Sequence, residues 1–256
     1  MRICLICLMG ILVAPSARAE PGEGQDQPVG VSRNAPPDFL FGRPEGSIGI
    51  RGSWVFARAG SDWYDFVTDQ LTVETKDFNA PAIAADLGFV VTPRIDAVAG
   101  MEFSQAKKVS EYRRFVDNNR LPINQTTRLR VANLTGSVKI ALVERGRGIS
   151  RLAWVPRDVV PFVGAGAGAL WYSLDQTGDF VDFADRSVFD GTFRSKGWTA
   201  STHVFGGIDV RVFRRAFVTL DGRYQWAAAT LGSTWVDFDP IDLAGFRLSV
   251  GMNLLY

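Results

Sequence analysis

Apolar and polar residues alternate with a period of two over most of residues 46–256. This period is typical of β-strands, because successive side chains of a strand point to opposite faces of the sheet. No segment has the spacing of an amphipathic helix, so we predict no helix. The alternation predicts eight strands, near residues 47–59, 80–91, 95–104, 126–143, 160–171, 198–213, 218–226 and 246–256.

The charged residues of these strands lie on the face opposite the apolar residues. The apolar face of each strand covers about 9–11 residues, the length with which a tilted strand crosses the hydrocarbon layer of a membrane. The polar face carries five basic and five acidic residues, which we expect to pair in the lumen of a closed barrel. This lumen set consists of Arg51, Asp86, Asp96, Glu102, Lys139, Asp209, Arg211, Asp221, Arg223 and Arg247.

A membrane accounts for this arrangement better than water does. With the charges inside, a soluble barrel would expose an apolar band far larger than monomeric proteins tolerate. A closed membrane barrel turns the band to lipid and satisfies every backbone polar group. We therefore predict an all-β protein, an eight-stranded antiparallel transmembrane β-barrel over residues 46–256. Ten strands are the alternative, if residues 61–77 or 175–197 form a further hairpin. Aromatic residues near strand ends fit the girdles of such a barrel: Trp54, Phe56, Trp171, Trp198, Trp226 and Tyr256.

Two segments precede the predicted barrel. Residues 1–19 combine a positive start, a short apolar run and the cleavage motif Ala17-Arg18-Ala19, which is the layout of a cleaved secretory signal peptide. A lipid anchor on Cys7 is less well supported, since no small-residue motif precedes it. Residues 20–45 are rich in Pro and Gly and are interpreted as a flexible periplasmic linker, with residues 39–41 as candidates for order.

The composition of the chain argues against several classes of function. The chain has 28 Lys and Arg against 27 Asp and Glu, which argues against a nucleic-acid partner. It has one His, and both Cys residues lie in the predicted signal peptide. We therefore expect no cofactor and no metal cage of His and Cys ligands.

The lengths of the connections predict the orientation. Short connections near residues 92–94, 144–159 and 213–216 alternate with long ones near 60–79, 113–125, 173–197 and 228–240. Bacterial outer-membrane barrels have short periplasmic turns and longer extracellular loops. We therefore expect both termini in the periplasm and the long loops outside the cell, although the 144–159 connection is long for a periplasmic turn.

Residues 161–168 (PFVGAGAG) and 245–256 (GFRLSVGMNLLY) resemble the small outer-membrane barrel family of outer membrane protein A and the opacity proteins. The resemblance implies a Gram-negative outer membrane, contact with its lipid and lipopolysaccharide, and a last strand read by the barrel-assembly machinery. The residues of that insertion signal would be Phe246, Leu248, Val250, Met252, Leu254 and Tyr256. The family includes adhesins, tethers to the cell wall, small-solute channels and proteins of unknown role.

Two motifs suggest chemistry that their context does not favour. The glycines of residues 164–168 look like a phosphate-binding loop, but no helix follows, so we interpret them as room for large neighbours in a narrow barrel. Ser201 and His203 are a candidate pair for a lipid A-modifying enzyme. They are predicted to face the lumen, whereas a lipid substrate arrives from outside, and a polar lumen network is the simpler interpretation.

Three long loops repeat an aromatic and acidic theme. Their carboxylates could bind Ca²⁺ or bridge to lipopolysaccharide through divalent ions, and their rings suit a recognition surface. The alternative is that strands continue above the membrane, with solvated acids between packed rings. The candidate surface consists of Trp63, Tyr64, Asp65, Phe66, Asp179, Phe180, Asp182, Phe183, Trp235, Asp237, Phe238 and Asp239.

The sequence thus predicts an outer-membrane barrel with a non-enzymatic role in envelope integrity or in surface interaction through its long loops. A narrow channel for small or hydrophobic solutes is the first alternative, because eight strands leave an interior that side chains nearly fill. A lipid A-modifying enzyme is the second.

Overall fold

The computed structural model describes residues 39–117, 120–150, 153–235 and 237–256, and most of them form β-strands. Residues 1–38, with the predicted signal peptide and most of the predicted linker, lie outside the described residues. Eight long strands follow one another along the chain, as the period of two predicted. They are β1 (Gly46–Ala57), β2 (Ala80–Val90), β3 (Ile95–Val116), β4 (Pro122–Ala141), β5 (Val159–Val181), β6 (Val188–Arg211), β7 (Ala216–Ala229) and β8 (Gly245–Leu255).

The eight strands form one closed ring. Each strand pairs antiparallel with the next. The ring is closed by β8 and β1, which pair from Gly245 opposite Ala57 to Leu255 opposite Ser47. Closure leaves no strand with a free edge where all eight pair, whereas β3 beyond Ser104 and β6 before Ser201 pair with a long strand on one side only. The prediction of eight strands is confirmed, and residues 175–197 lengthen the β5–β6 hairpin rather than adding strands.

The two faces of the ring have the polarity that the sequence predicted. Apolar side chains point outward and are exposed, as in Ile50 (66%) and Met101 (59%). Charged side chains point inward and are buried, as in Arg51 (9%) and Asp221 (3%). A soluble protein has the reverse arrangement. The outer band therefore needs an apolar surrounding.

Four strands are much longer than a membrane requires. Strands β3 to β6 have 22, 20, 23 and 24 residues, whereas β1, β2, β7 and β8 have 11 to 14. The loops predicted at 113–125 and 173–197 are therefore largely strand. The predicted strand ends were wrong, and the alternative in which the strands continue is confirmed. The prediction ended each strand where its apolar face ends, but backbone pairing does not need an apolar face outside the hydrocarbon layer. The barrel end with these extensions is called the long-loop end, and the opposite end the short-turn end.

The prediction that no helix forms was wrong at the long-loop end. A nine-residue helix, α1 (Asp62–Gln70), follows β1. Two acidic residues, Asp62 and Asp65, lie in its first turn, where the helix dipole favours negative charge. Its inner face is buried through Trp63 and Val67, among others. Among the described residues, no helix is long and apolar enough to span a membrane.

A small separate sheet joins the connection between β4 and β5 to the residues that precede β1. Its strands are Leu40–Phe41, Gly146–Ser150 and Ala153–Pro156, and Leu40 pairs opposite Trp154. This sheet explains why the 144–159 connection is long for a turn. It also shows that residues 40–41 of the predicted linker are paired as strand.

Candidate functional site

The middle of the lumen is filled by ion pairs between residues of the predicted lumen set. Arg51 lies 2.7 Å from Asp86 and 3.4 Å from Asp221. Across the lumen, Nε of Arg247 donates to Oε1 of Glu102 at 2.6 Å. The Arg51–Asp86 pair joins neighbouring strands. The Arg51–Asp221 and Arg247–Glu102 pairs join strands that are not neighbours in the ring, and so they connect separate parts of the wall.

The rest of the lumen set lies nearer the short-turn end, except Arg223, for which the described residues provide no ion pair. Lys139 binds Asp209 at 2.6 Å. Asp96 pairs at 2.6 Å with Arg145, a residue that the sequence prediction did not include. Arg211 contacts the exposed Asp158 and therefore lies at the rim. The guanidinium of Arg223 lies 4.9 Å from the centre of the Phe205 ring.

Ser201 and His203 do not form a pair. Oγ of Ser201 donates to the side-chain oxygen of Asn133 at 3.1 Å, and Nε2 of His203 lies 2.9 Å from Oγ of Ser137. Both side chains are buried in the lumen. The structure thus corrects the pairing on which the enzyme alternative depends. A side chain at Gly164 would collide with the Phe205 ring, which fits the interpretation of these glycines as room for neighbours.

An apolar cluster, called the cap, closes the lumen at the long-loop end. Its rings include Trp63, which is completely buried and packs edge-on against Phe78 and Trp235. The inward side chains of Leu170 and Leu174 on β5 are also completely buried there. The cap therefore places buried apolar side chains at this end of the lumen, whose middle holds charged ones. This cluster could not be predicted from a local pattern, because its members come from four different segments of the chain.

Asp242, at the edge of the cap, connects the cap to the barrel wall. Its carboxylate accepts from Nε of Arg58 at 2.7 Å and from the backbone N–H of Gly60 at 2.9 Å. Its carbonyl accepts from the Tyr64 hydroxyl at 3.1 Å. Burial raises the pKa of Tyr64, so this hydroxyl remains a donor.

The cap buries part of the predicted loop surface. Trp63, Tyr64, Phe180 and Trp235 are buried, because the cap and the β5–β6 hairpin use their rings as core. Phe238 is half-buried. The exposed members of the set are Asp65, Phe66, Asp179, Asp182, Phe183, Asp237 and Asp239.

The loop carboxylates are dispersed. The Asp182 carboxylate accepts from the backbone N–H of Ala184 at 2.8 Å, and that of Asp62 accepts from the N–H of Asp239 at 3.0 Å. Throughout the part of the chain that the structure describes, no group of three or more His, Cys, Asp or Glu residues is placed to hold a metal ion.

An open cleft lies beside the cap. This aromatic cleft holds about 700 Å³ of space, part of it open to solvent, and all its lining residues are uncharged. Oε1 of Gln125 and Nε1 of Trp235 belong to lining residues and have no hydrogen-bond partner among the described residues. The cleft carries eight aromatic rings: Phe66, Tyr112, Phe180, Phe183, Phe189, Phe193, Trp235 and Phe238.

A second surface lies on the outside of the barrel, where β3 to β6 continue beyond the apolar band. Five basic residues occupy outward positions there and are called the basic belt: Lys107, Arg128, Arg130, Arg194 and Lys196. The belt was not predicted from the sequence, because two of its residues, Arg194 and Lys196, fell in a predicted loop and Lys107 lay beyond a predicted strand end. The signal was the continued alternation, with Lys and Arg in outward positions where apolar residues had been.

One carboxylate lies within the belt. Asp175 accepts from Nη2 of Arg130 at 2.6 Å and from Nε of Arg194. Burial alone would raise the pKa of Asp175, but these two hydrogen bonds outweigh it and lower the pKa. The carboxylate is therefore ionised and holds two guanidinium groups side by side.

The residues of the predicted insertion signal occupy one face of the last strand and its end. Phe246, Leu248, Val250, Met252, Leu254 and Tyr256 are all exposed on the outside of the barrel. They continue the apolar band across β8.

Comparison with known proteins bears on the fold. No family model and no curated protein matches the sequence. Among solved structures, Neisserial surface protein A is 10% identical, with 83% of this chain and 100% of that chain covered and a TM-score of 0.46. OprG from Pseudomonas aeruginosa is 9% identical, with 85% and 99% covered and a TM-score of 0.46. Ail of Yersinia pestis, solved with the heparin analogue sucrose octasulfate, is 11% identical, with 83% and 99% covered and a TM-score of 0.43.

These similarities concern architecture alone. The closed ring of eight antiparallel strands and its outward apolar band make the protein a β-barrel of the membrane-spanning type.

Proposed function

We propose that this protein is a non-enzymatic outer-membrane barrel whose long-loop end is an interaction surface, acting in envelope integrity or in contacts with other molecules. One observation carries the proposal. The lumen ends at the apolar cap, while the aromatic cleft beside it is open to solvent. The part of the molecule available to a partner is therefore the outside of the long-loop end.

The proposed orientation places the long-loop end outside the cell and both termini in the periplasm. It is supported by the strand lengths, because β3 to β6 extend far beyond the membrane at one end only. Outer-membrane barrels place their longer segments on the extracellular side. We further propose that the outward face of β8 is the part recognised by the barrel-assembly machinery.

The alternatives have less support. A channel needs a continuous polar path. The cap interrupts the polar lumen with buried apolar residues such as Leu170 and Leu174. A lipid-modifying enzyme needs a nucleophile beside its base at the lipid surface. Ser201 and His203 are buried in the lumen and have other partners.

We propose that the aromatic cleft takes an uncharged group with an apolar or aromatic body. An uncharged lining rich in aromatic rings favours such a group, since it offers dispersion contacts but no counter-ion. A bulky apolar group displaces water from exposed rings such as Phe66 and Phe183.

The substitution Phe183→Arg tests the cleft. We expect it to weaken binding of the uncharged aromatic probe N-phenyl-1-naphthylamine about tenfold, because a charge would replace an apolar wall. Binding is measured by probe fluorescence with the protein in lipid nanodiscs, after subtraction of the signal of empty discs.

The matched control is Leu121→Arg. Leu121 is exposed to the same degree as Phe183 (57% against 56%) but does not line the cleft. We expect Leu121→Arg to bind the probe like the unsubstituted protein. Equal loss in both variants, or in neither, would show that the cleft is not the binding surface.

A further inference from the structure

We propose that the basic belt binds the phosphate groups of a phosphorylated glycolipid, the lipid A part of lipopolysaccharide, on the outside of the barrel. This inference rests on the proposed function in one respect, the orientation of the long-loop end toward the cell exterior. Lipid contact follows from the membrane barrel itself. The belt specifies which chemical group of the lipid is bound and where.

The strand register places the belt directly beyond the apolar band on four neighbouring strands. The last mainly apolar row across β3 to β6 consists of Phe103, Ala132, Trp171 and Trp198. The next row consists of Gln105, Arg130, Ser173 and Lys196. The row after that consists of Lys107, Arg128, Asp175 and Arg194. An amphiphile with acyl chains along the apolar rows therefore brings its headgroup against the belt.

The belt has an excess of positive charge. Of its five basic side chains, Arg130 and Arg194 pair with one carboxylate, that of Asp175. Guanidinium groups bind phosphate through parallel hydrogen bonds, and Asp175 already holds two of them side by side.

The rows farther from the membrane are first uncharged and then acidic. The next outward positions are uncharged: Val109, Thr126, Thr177 and Thr192. Beyond them, Glu111 lies opposite Asn124, and Asp179 lies opposite Asp190. Glu111 lies four positions after Lys107 along β3, which is about 13 Å. This exceeds the Debye length of about 8 Å at physiological salt, so the acidic row does not neutralise the belt.

The position of the belt favours a lipid over a soluble polyanion. A soluble ligand needs only exposed charge, and the tips of the hairpins would present that charge better. The basic residues instead lie at the boundary of the apolar band, at the level where the phosphates of a lipid lie. The girdle residues Trp171 and Trp198, directly below, mark that boundary.

The test compares two triple variants of the refolded mature protein. The belt variant is Lys107→Gln, Arg128→Gln and Lys196→Gln. The control variant, Arg94→Gln, Arg147→Gln and Arg215→Gln, removes the same charge at exposed positions near the short-turn end. The probes are bisphosphorylated lipid A, lipid A without phosphates, inorganic phosphate and heparin. Binding is measured as the rise in the temperature at which the folded form is lost from heat-modifiable gels, titrated against each probe.

We expect bisphosphorylated lipid A to bind the unsubstituted protein and the control variant alike, and the belt variant about a hundredfold more weakly. Equal weakening in both variants would overturn the belt as the site. Equal binding of lipid A without phosphates would overturn the phosphate contact. Protection by inorganic phosphate or heparin as strong as that by lipid A would overturn the assignment to a lipid.

Labelling of single cysteines separates this inference from the proposed orientation, because the predicted mature chain contains no cysteine. We expect a membrane-impermeant maleimide to label Phe183→Cys in intact cells, and Arg215→Cys only after permeabilisation. The reverse result would contradict the orientation and place the belt in the wrong leaflet. The affinity measured for lipid A in solution does not depend on this result.

Discussion

Replacement of Arg247 by Met is expected to lower the free energy of unfolding by about 3–5 kcal/mol, because it leaves a buried charge without its partner. The guanidinium of Arg247 is almost fully buried and lies 2.6 Å from Oε1 of Glu102. The surrounding lumen contains three basic groups, those of Arg51, Arg223 and Arg247, against the carboxylates of Asp86, Asp221 and Glu102. Loss of Arg247 unbalances this cluster by one negative charge.

Unfolding in urea, followed by tryptophan fluorescence and by gel mobility, measures this effect. The control is the double variant Glu102→Met, Arg247→Met, which removes both charges of the pair. We expect it to recover most of the lost stability, since two apolar groups leave no unpaired charge. A double variant as unstable as Arg247→Met alone would show that the two residues are not coupled.

Replacement of Trp63 by Ala is expected to cost about 3–5 kcal/mol, the usual loss when a large aromatic side chain is removed from a core. Trp63 is completely buried in the cap and packs against Tyr64, Phe78 and Trp235. Its removal leaves a cavity between α1 and the barrel wall. The same unfolding experiment measures the loss.

The control for the cap is Trp198→Ala. Trp198 is 62% exposed on the outside of the barrel and has no role in the cap. We expect a clearly smaller loss of stability than for Trp63→Ala. Similar losses at the two positions would mean that the cap is not a packed core and that the loops at this end are only loosely held.

The alternation of side chains was sufficient to predict the barrel, because the period of two and the one-sided charge determine which face meets lipid. The ends of β3 to β6 could not be predicted in the same way. Outside the hydrocarbon layer the strands continue with Lys107 or Arg194 at outward positions, so the outward apolar face that defined the predicted strands is missing there. Helix α1 was missed because its apolar spacing covers only nine residues.

The candidate site was predicted only in part. The lumen set could be named because each member follows from strand parity, although Arg145, the partner of Asp96, lies outside any predicted strand. The sequence pattern identified the aromatic loop motifs, but it did not show which of their rings are buried. Trp63 and Trp235 meet in the cap through contacts between distant segments, which a local pattern does not specify. The basic belt depends on a register across four strands, which is likewise not a local property.

The central claim is that the lumen is closed and that the protein acts through its outside. Single-channel recording of the refolded mature protein in a planar bilayer tests it most directly, with heat-modifiable gel mobility as the check that the barrel is folded. We expect a folded protein without discrete conductance steps, because the cap and the paired charges leave no continuous path. Reproducible openings from folded protein would contradict the claim, and Arg51, Glu102, Asp209 and Arg223 would then be the residues to examine as the wall of a channel.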